Sequence, residues 1–378
     1  MRKDDEDVTT NVVMEVDRSA IGSTRLIDVP MPTLADAQVR MRVDRFAITA
    51  NNVTYAGFGD LLGYWDFFPT GDAGWGRVPA VGWAEVVESR VDGIAPGARY
   101  FGWFPMAAYV DLTATPTSDG FRDDGPHRSG HVPVYRSYID SRCDPLLPAD
   151  DRAGSGDVED RHALLRALFL TGFLAESFIA ALPGGPVEQI VVLSASSKTA
   201  ISLAHRASMR GSSQVVGFTS PRNIEFVSSI ADGAGARLYD SVHAYGDAVS
   251  LPIVPTAVVD MAGVGDVVAA LHRHLGDAIV SSLMVGRSHH DAPMAMVGDG
   301  PNPEFFIATG EAERQVAAHG AAGYQARSAA ALAAFVEESR GWLAVERRTG
   351  AAGATDTWDA VYRGVVPPSV GRVVSLHD

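Results

Sequence analysis

The sequence predicts an α/β protein in which a barrel-like β domain precedes a doubly wound parallel sheet. Short strands interrupted by glycine and proline fill the first third, as at Val39–Val43, Ala84–Ser89 and Arg99–Trp103, and this pattern is typical of a β-barrel. From Gln189 onward, apolar strands alternate with helices, which indicates a parallel sheet covered on both faces. The length of 378 residues favours two domains.

Composition narrows the class of protein. The formal charge of −15 argues against nucleic acid as a partner, because such proteins present a basic face to phosphates. The single cysteine, Cys143, excludes an internal disulfide framework and any zinc site that needs two thiolates. We see no signal peptide and no apolar run of membrane-spanning length. We therefore expect a cytoplasmic protein that acts on a small molecule without a membrane partner, and a homodimer remains open.

The second half of the chain is assigned element by element. Ser220 and Pro221 suit the N-cap and first turn of a helix that runs through Ile230. The polar stretches 113–135 and 149–160 are predicted to be an exposed loop and a linker. The remaining predicted strands are Ile190–Leu193, Gln214–Phe218, Leu238–Tyr239, Ala257–Asp260, Ala278–Val285 and Arg372–Leu376, and the remaining helices are Ala163–Leu182, Thr199–Met209, Val267–Leu275, Ala329–Glu338 and one around Thr357–Tyr362.

Five stretches resemble, in the same order, the medium-chain dehydrogenase/reductase superfamily. They are Val39–Asn52, Pro79–Val87, Gly93–Arg99, Phe226–Asp240 and Ala329–Leu376. The motif Ala50-Asn-Asn-x-Thr-Tyr55, with Gly63-Tyr-Trp-x-Phe-Phe-Pro69, is similar to an uncharacterised branch of that superfamily. The resemblance implies a GroES-like substrate domain at 11–160 plus 325–378 and a Rossmann NADP-binding domain at 161–324.

A candidate dinucleotide turn follows the first strand of the parallel sheet. Such a turn must let a pyrophosphate approach the N-terminus of the next helix. Here it reads Ser194-Ala-Ser-Ser-Lys-Thr-Ala200, without the glycines of the usual fingerprint. Serines are small, and the side chains of Ser194, Ser196, Ser197, Lys198 and Thr199 can donate to phosphate oxygens. The chain has lysine only at Lys3 and Lys198, which favours binding over the alternative of a helix cap beside a solvated lysine.

The end of the second strand selects the cofactor. Thr219-Ser-Pro-Arg-Asn223 lacks the acid that holds the ribose 2′-hydroxyl of NAD, and Arg222 can bind a 2′-phosphate through two hydrogen bonds. We therefore predict NADP(H), with Thr219, Ser220 and Asn223 beside Arg222; the alternative leaves Arg222 on the surface. The resemblance further places Asp260, Ala262, Gly263 and Thr171 near the nicotinamide half, where packing is the alternative role.

The chemical site is predicted to lack a metal. Where zinc members of the superfamily carry Gly-His-Glu, this chain reads Val81-Gly-Trp83. The histidine groups His289-His290-Asp291 and His272-x-His274 have spacings that do not suit one ion. Zinc-free relatives are quinone and enoyl reductases, which need a hydride donor and a proton donor or oxyanion partner. Tyr64, then Tyr55, are the candidate proton donors with Asn52 beside them, and the alternative makes these aromatics the wall of a pocket for an apolar substrate.

Three functions stay open at this point. The first is an NADPH-dependent, zinc-free reductase of an activated C=C or a carbonyl. The second is a lyase or isomerase on the same fold, and the third is a non-catalytic nucleotide-binding or scaffold protein, because fold alone does not determine function. The sequence contains no nucleophile elbow and no P-loop that would indicate other chemistry.

Overall fold

A computed structural model describes residues 10–147, 156–261, 263–286 and 300–377. The chain divides into two compact units. The first, called the barrel unit, comprises Met1–Leu164, Val345–Val366 and Val370–Asp378. The second, called the parallel-sheet unit, comprises Leu165–Ala344 and Pro367–Ser369.

The barrel unit contains a closed antiparallel barrel of six strands. The barrel order is β3-β5-β6-β9-β8-β7, and β7 closes it by pairing with β3. Strands β17 and β16 extend the barrel sheet beyond β3, while β2, β1 and β4 form a separate small sheet. The strands are β1 (Thr10–Asp17), β2 (Thr24–Pro30), β3 (Gln38–Ile48), β4 (Trp75–Gly76), β5 (Pro79–Ser89), β6 (Arg99–Pro105), β7 (Tyr109–Pro116), β8 (Gly120–Asp123), β9 (Ser137–Asp140), β16 (Ala344–Thr349) and β17 (Val370–Ser375), with helices α1 (Ala50–Gly57) and α7 (Gly350–Tyr362).

Alternation along β3 shows how the sequence closes this barrel. Val39, Met41 and Val43 are fully buried, and the arginines between them are only partly buried, as expected for a strand with one face on a core. Gly82 in β5 lies so close to β3 that an added Cβ would be 2.2 Å from the carbonyl oxygen of Arg45. A side chain at this position would therefore separate two barrel strands.

The stretch 113–135 differs from the exposed loop predicted for it. It contains the end of β7, all of β8 and two short 3-10 turns, Pro126–Arg128 and Pro133–Tyr135. Asp123 and Arg128 are buried in this stretch. The prediction was wrong because glycine, proline and aspartate mark the turns between short barrel strands as readily as they mark a loop.

The parallel-sheet unit has strand order β12-β11-β10-β13-β14-β15, and every pairing in it is parallel. Counted within the unit, this is the order 3-2-1-4-5-6 of a Rossmann fold. The predicted fold class, a GroES-like barrel with a doubly wound Rossmann domain, is confirmed. The elements are α2 (Asp157–Ala180), β10 (Gln189–Leu193), α3 (Lys198–Arg210), β11 (Gln214–Thr219), α4 (Ile224–Ser229), β12 (Ser241–Ala244), β13 (Thr256–Asp260), α5 (Gly265–Leu275), β14 (Ile279–Met284), β15 (Glu304–Phe305) and α6 (Ala308–Glu338).

The third strand was predicted too early. Leu238 and Tyr239 are buried but precede β12, and the Tyr239 hydroxyl donates to the carbonyl oxygen of Ala195 at 2.9 Å. The apolar pair therefore packs under the first turn of the sheet. Similarly, Ser220 and Pro221 open a 3-10 turn, Pro221–Asn223, before the short helix α4.

The domain boundary near the C-terminus also differs from the predicted one. Residues 325–344 were assigned to the barrel domain, whereas they lie in the parallel-sheet unit. Helix α6 runs through this stretch, and its Phe335 packs on Phe169 and His205 of the same unit, with ring centroids 5.0 and 5.3 Å apart. The C-terminal part of α6 thus packs against helices α2 and α3 of the parallel-sheet unit.

Among the described residues, helix α2 is long and apolar enough by composition to cross a membrane, with a mean hydropathy of 1.6 over its most apolar window. Of that window, 67% is buried inside the protein. Core helices of soluble proteins have the same length and composition, so α2 is weak evidence for a membrane span.

Candidate functional site

An aromatic cluster in the barrel unit contains both candidate tyrosines. Tyr55 lies on α1, and Tyr64 opens a 3-10 turn whose N-cap is Gly63 at φ +71°, a conformation that favours glycine. The ring centroids of Tyr55 and Tyr64 are 4.5 Å apart, and Trp103 on β6 lies 5.5 Å from Tyr55. Tyr55, Tyr64 and Trp103 therefore form one aromatic cluster in the barrel unit.

The two tyrosine hydroxyls have different partners. The Tyr64 hydroxyl lies 3.3 Å from that of Tyr135, and the Tyr55 hydroxyl accepts from the Asn51 side chain. Burial raises the pKa of Tyr64 above its ordinary range, as do the charge and hydrogen bond of Tyr135. Burial likewise raises the pKa of Tyr55. Both phenols are accordingly held in the protonated form, the form that a proton donor requires.

The Asn52 side chain forms hydrogen bonds with the backbone of the barrel unit. Its side-chain oxygen accepts from the backbone N–H of Thr49 at 2.7 Å and its amide donates to the carbonyl oxygen of Pro79 at 3.0 Å. This is half of a capping box at the start of α1. The arrangement favours a role in holding α1, which carries Tyr55, against β5.

Two residues that contact this aromatic cluster were not predicted from the sequence. Tyr135 contacts Tyr64, Phe67 and Trp103 through its ring. Arg128 is 0% exposed, and it donates to the carbonyl oxygens of Phe67 and Tyr135. The sequence did contain a signal for them, because an arginine and aromatic residues occur inside the polar stretch 113–135. The interpretation of that stretch as an exposed loop gave these residues no role.

Asp123 pairs with this buried arginine. Its Oδ2 lies 3.4 Å from Nε of Arg128, and its Oδ1 accepts from the N–H of Gly125 at 3.1 Å. Desolvation raises the pKa of Asp123 and lowers the pKa of Arg128, as burial does to each charged form. Asp123 is thus a buried carboxylate that supports the position of Arg128.

The Ser-rich turn of the parallel-sheet unit contains no glycine, but one of its serines has a backbone conformation that favours glycine. Ser194, directly after β10, has φ +55°, a left-handed conformation that costs a residue with a Cβ roughly 1 to 2 kcal/mol. The Ala195 carbonyl oxygen is held by the Tyr239 hydroxyl, and Gly217 on β11 leaves room for Ala195, whose Cβ would lie 2.9 Å from an added Cβ. Backbone strain of this kind clusters at active and ligand-binding sites, so Ser194 marks a candidate functional turn.

Ser196 is fixed with its own proton still available. Its hydroxyl oxygen accepts from Thr219 at 3.3 Å and from the Asn223 amide at 3.1 Å. An oxygen with two donors on it can still donate its own hydrogen. Ser197 differs, because its hydroxyl accepts from the N–H of Ala200 at 3.2 Å as the N-cap of α3. The capping alternative therefore describes Ser197 but not Ser196.

Positive groups flank this turn on two sides. Lys198 is the first residue of α3 and is partly buried, and desolvation lowers its pKa to about 8. Arg222 is exposed in the turn after β11, next to Ser220, whose side chain makes no capping bond. Thr199 uses its carbonyl oxygen to accept from the Ser202 hydroxyl at 2.8 Å.

The residues assigned to the nicotinamide half are partly committed to the fold. Asp260, at the end of β13, accepts from the N–H groups of Gly263 at 3.0 Å and Val264 at 2.8 Å. Gly263 has φ +82°. Thr171 donates to the carbonyl oxygen of Ala167 at 3.1 Å. Ala262 lies outside the described residues.

Among the described residues, no group of three or more histidine, cysteine or acidic side chains is arranged to hold a metal ion. Gly82 stands in the place of the histidine of Gly-His-Glu, and Trp83, in the place of the glutamate, is fully buried and donates to the carbonyl oxygen of Glu159 at 2.9 Å. His272 contacts the Ser282 hydroxyl and His274 the Leu251 carbonyl oxygen. His289, His290 and Asp291 lie outside the described residues.

A cavity of about 660 Å³ lies elsewhere in the parallel-sheet unit, beside Phe226 and Trp342. None of its lining residues was predicted for the cofactor. Its carboxylates are already engaged, Asp232 with backbone N–H groups and Glu337 with Arg340.

Comparison with known proteins identifies the fold. A family model described as a protein of unknown function (DUF2855) matches residues 46–367, and no curated protein matches the sequence. CurA from Vibrio vulnificus, solved in complex with NADPH, is similar at 12% identity and a TM-score of 0.60, with 97% of this chain and 99% of that chain covered. The quinone oxidoreductase from Coxiella burnetii is similar at 16% identity and a TM-score of 0.51, with the same coverage.

A mutant enoyl thioester reductase from Candida tropicalis is similar at 13% identity and a TM-score of 0.53, with 97% of this chain and 99% of that chain covered. Identities this low show the fold alone. The resemblance to the medium-chain dehydrogenase/reductase superfamily is confirmed at that level, and the similar structures are oxidoreductases.

Proposed function

We propose, from the premise that this chain belongs to the family of proteins of unknown function DUF2855, that it is a zinc-independent, NADPH-dependent reductase. Its substrate would be a small apolar or aromatic molecule with an activated C=C or a carbonyl. We further propose that it works in the cytoplasm without a nucleic-acid or membrane partner, and a homodimer is compatible with this function.

The observation that carries the proposal is the left-handed Ser194 at the end of the first strand of a 3-2-1-4-5-6 parallel sheet. The fingerprint of a dinucleotide turn has a glycine in this region, and backbone strain clusters at active and ligand-binding sites, so the conformation of Ser194 supports a pyrophosphate site over a scaffold. The residues present fit a dinucleotide, because Ser196 keeps a hydroxyl proton and the helix α3 begins beside it. The absence of an acid at the end of β11 and the presence of Arg222 favour NADPH over NADH.

Bound NADPH would supply a hydride to the substrate. The chain's own contribution is a proton, held on the Tyr64 hydroxyl, which burial keeps protonated. The rings of Tyr55, Tyr64, Phe67 and Trp103 would bind the apolar part of the substrate and exclude water. Stabilisation of a developing oxyanion would come from the same hydroxyl rather than from a metal.

A titration of the purified protein with NADPH and with NADH tests the cofactor assignment. We expect tight NADPH binding, and we expect Arg222→Ala to weaken NADPH binding about 10-fold or more while changing NADH binding little. Lys198→Ala should weaken both, because it would contact a phosphate that both cofactors share. Binding of neither cofactor would reject the proposal and favour a scaffold, while equal responses to Arg222→Ala would reject only the 2′-phosphate contact.

Turnover with a panel of enones, quinones and aldehydes tests the reductase. We expect Tyr64→Phe to lower kcat by about 100-fold for C=C reduction with NADPH affinity unchanged. NADPH binding without turnover of any member of the panel would favour a non-redox enzyme, and an unaltered rate in Tyr64→Phe would eliminate this tyrosine as the proton donor.

A further inference from the structure

The barrel unit holds a second hydroxyl whose position the proposed reaction does not yet use. Tyr135 is partly exposed, whereas Tyr64 is 9% exposed. Their hydroxyl oxygens are 3.3 Å apart, and either can be the donor. The pair therefore connects a buried tyrosine to one that is partly exposed.

A buried proton donor needs such a connection. After Tyr64 gives up its proton, a phenolate would remain in a place where burial already raises the pKa of the phenol. A buried charge without a hydrogen-bond donor is expensive. A neighbouring hydroxyl that can donate to the phenolate, and then regain a proton from water, removes that cost.

We propose that Tyr135 is a positioning residue that hydrogen-bonds Tyr64 and returns a proton to it from solvent. This inference rests on the proposed function. In the step, the Tyr64 O–H bond breaks as its proton joins the substrate carbon or oxygen. In the same step the Tyr135 O–H bond breaks and its proton forms a new O–H bond on Tyr64, and a proton taken up from solvent afterwards restores the Tyr135 hydroxyl.

Arg128 fixes the positions of the two tyrosine hydroxyls relative to each other, because it binds the backbone of both segments that carry them. One of its terminal nitrogens donates to the carbonyl oxygen of Phe67, 3.0 Å away and three residues after Tyr64, and the other donates to the carbonyl oxygen of Tyr135. The guanidinium also stands over the Phe67 ring, 4.5 Å from its centroid. The planar guanidinium of Arg128 thus joins both segments that carry the tyrosines. Asp123 balances the charge of this guanidinium.

The test is Tyr135→Phe in the full chain, which keeps the ring and removes only the hydroxyl. With an aryl-substituted enone and NADPH, we expect kcat to fall about 10-fold or more, while KM and NADPH affinity change less than about twofold. Tyr362→Phe is the matched control, because Tyr362 is exposed on α7. A purely structural role would instead raise KM or lower stability.

A proton inventory in mixtures of H₂O and D₂O gives a second readout that the wild-type protein alone can supply. We expect a curved dependence of kcat on the D₂O fraction in wild type, from two protons in motion, and a linear one in Tyr135→Phe. A linear wild-type inventory, or unchanged kcat in Tyr135→Phe, would overturn the relay. If Tyr64→Phe still abolishes turnover in that case, the proposed function survives; if neither variant matters, or wild type reduces nothing, both proposals fail.

Discussion

At the scale of the residue, Ser194 shows that a turn without glycine can still contain a left-handed backbone conformation. The turn lacks glycine, yet Ser194 retains the left-handed backbone at φ +55°. Its hydroxyl lies 3.3 Å from that of Tyr245, which offsets part of the cost. Strain of this kind clusters at functional sites, and it is one of the observations that support the proposed cofactor turn.

Ser194→Gly is predicted to stabilise the protein. Glycine adopts this φ without a Cβ penalty of roughly 1 to 2 kcal/mol, and its larger unfolded-state entropy offsets part of the gain, so the free energy of unfolding should rise by up to about 1 kcal/mol in urea. Ser196→Gly is the control, because Ser196 is not in the left-handed region and its hydroxyl is hydrogen-bonded, so that variant should be less stable than wild type. Equal losses in both would contradict the strain at Ser194.

At the scale of the element, the sequence predicted strands and helices well where apolar periodicity is strong. Strands β10 and β11 are buried runs between turns, and both were predicted within two residues. The stretch 113–135 was misread because β8 has only four residues, too few to show an alternating pattern, and because Arg128 owes its burial to partners distant in sequence. Tyr135 could not be predicted for the same reason.

The contact between α2 and α3 yields a prediction at this scale. A Cβ on Gly172 would lie 1.9 Å from the Ser202 hydroxyl and 2.7 Å from the carbonyl oxygen of Thr199. Gly172→Ala should therefore push α3 away from α2 and lower the free energy of unfolding by about 1 to 3 kcal/mol. Because α3 begins at the Ser-rich turn, NADPH affinity should fall as well.

Gly310→Ala is the matched control for that variant. Gly310 lies in the first turn of α6, and no atom lies within 4 Å of the place that an added methyl group would take. Alanine should therefore leave stability equal to wild type or raise it. Thermal and urea unfolding measure both variants, and a wild-type-like Gly172→Ala would show that the helices can move apart at little cost.

At the scale of the whole molecule, the order of elements was the most predictable feature. A β-rich first third, an alternating middle and a final strand imply a barrel and a parallel sheet, and β17 does pair with β3 of the barrel. The order of elements could not assign residues 325–344 to a unit. The sequence of a helix does not show which neighbours it packs against. The roles of individual site residues likewise depend on contacts, as Asn52 and Ser197 illustrate.

Buried histidines give the molecule a predictable response to acid. His205 is 2% exposed, and burial lowers its pKa from the ordinary value of 6.5; desolvation also lowers the pKa of the less buried His127, His131 and His377. Below pH 6.5 the unfolded chain takes up protons that the folded chain refuses, so stability present above that pH is lost as the pH falls. His205 alone should contribute a slope of up to about 1.4 kcal/mol per pH unit.

The free energy of unfolding, measured in urea between pH 7.5 and 5.5, should therefore decrease on acidification. His205→Gln should flatten the slope, because glutamine cannot take up a proton in either state. His319→Gln is the control, since His319 is exposed on α6 and should leave the slope unchanged. Nε2 of His205 lies 2.9 Å from Oε2 of Glu338. A slope of the opposite sign would therefore mean that this carboxylate, rather than burial, governs the charge of His205.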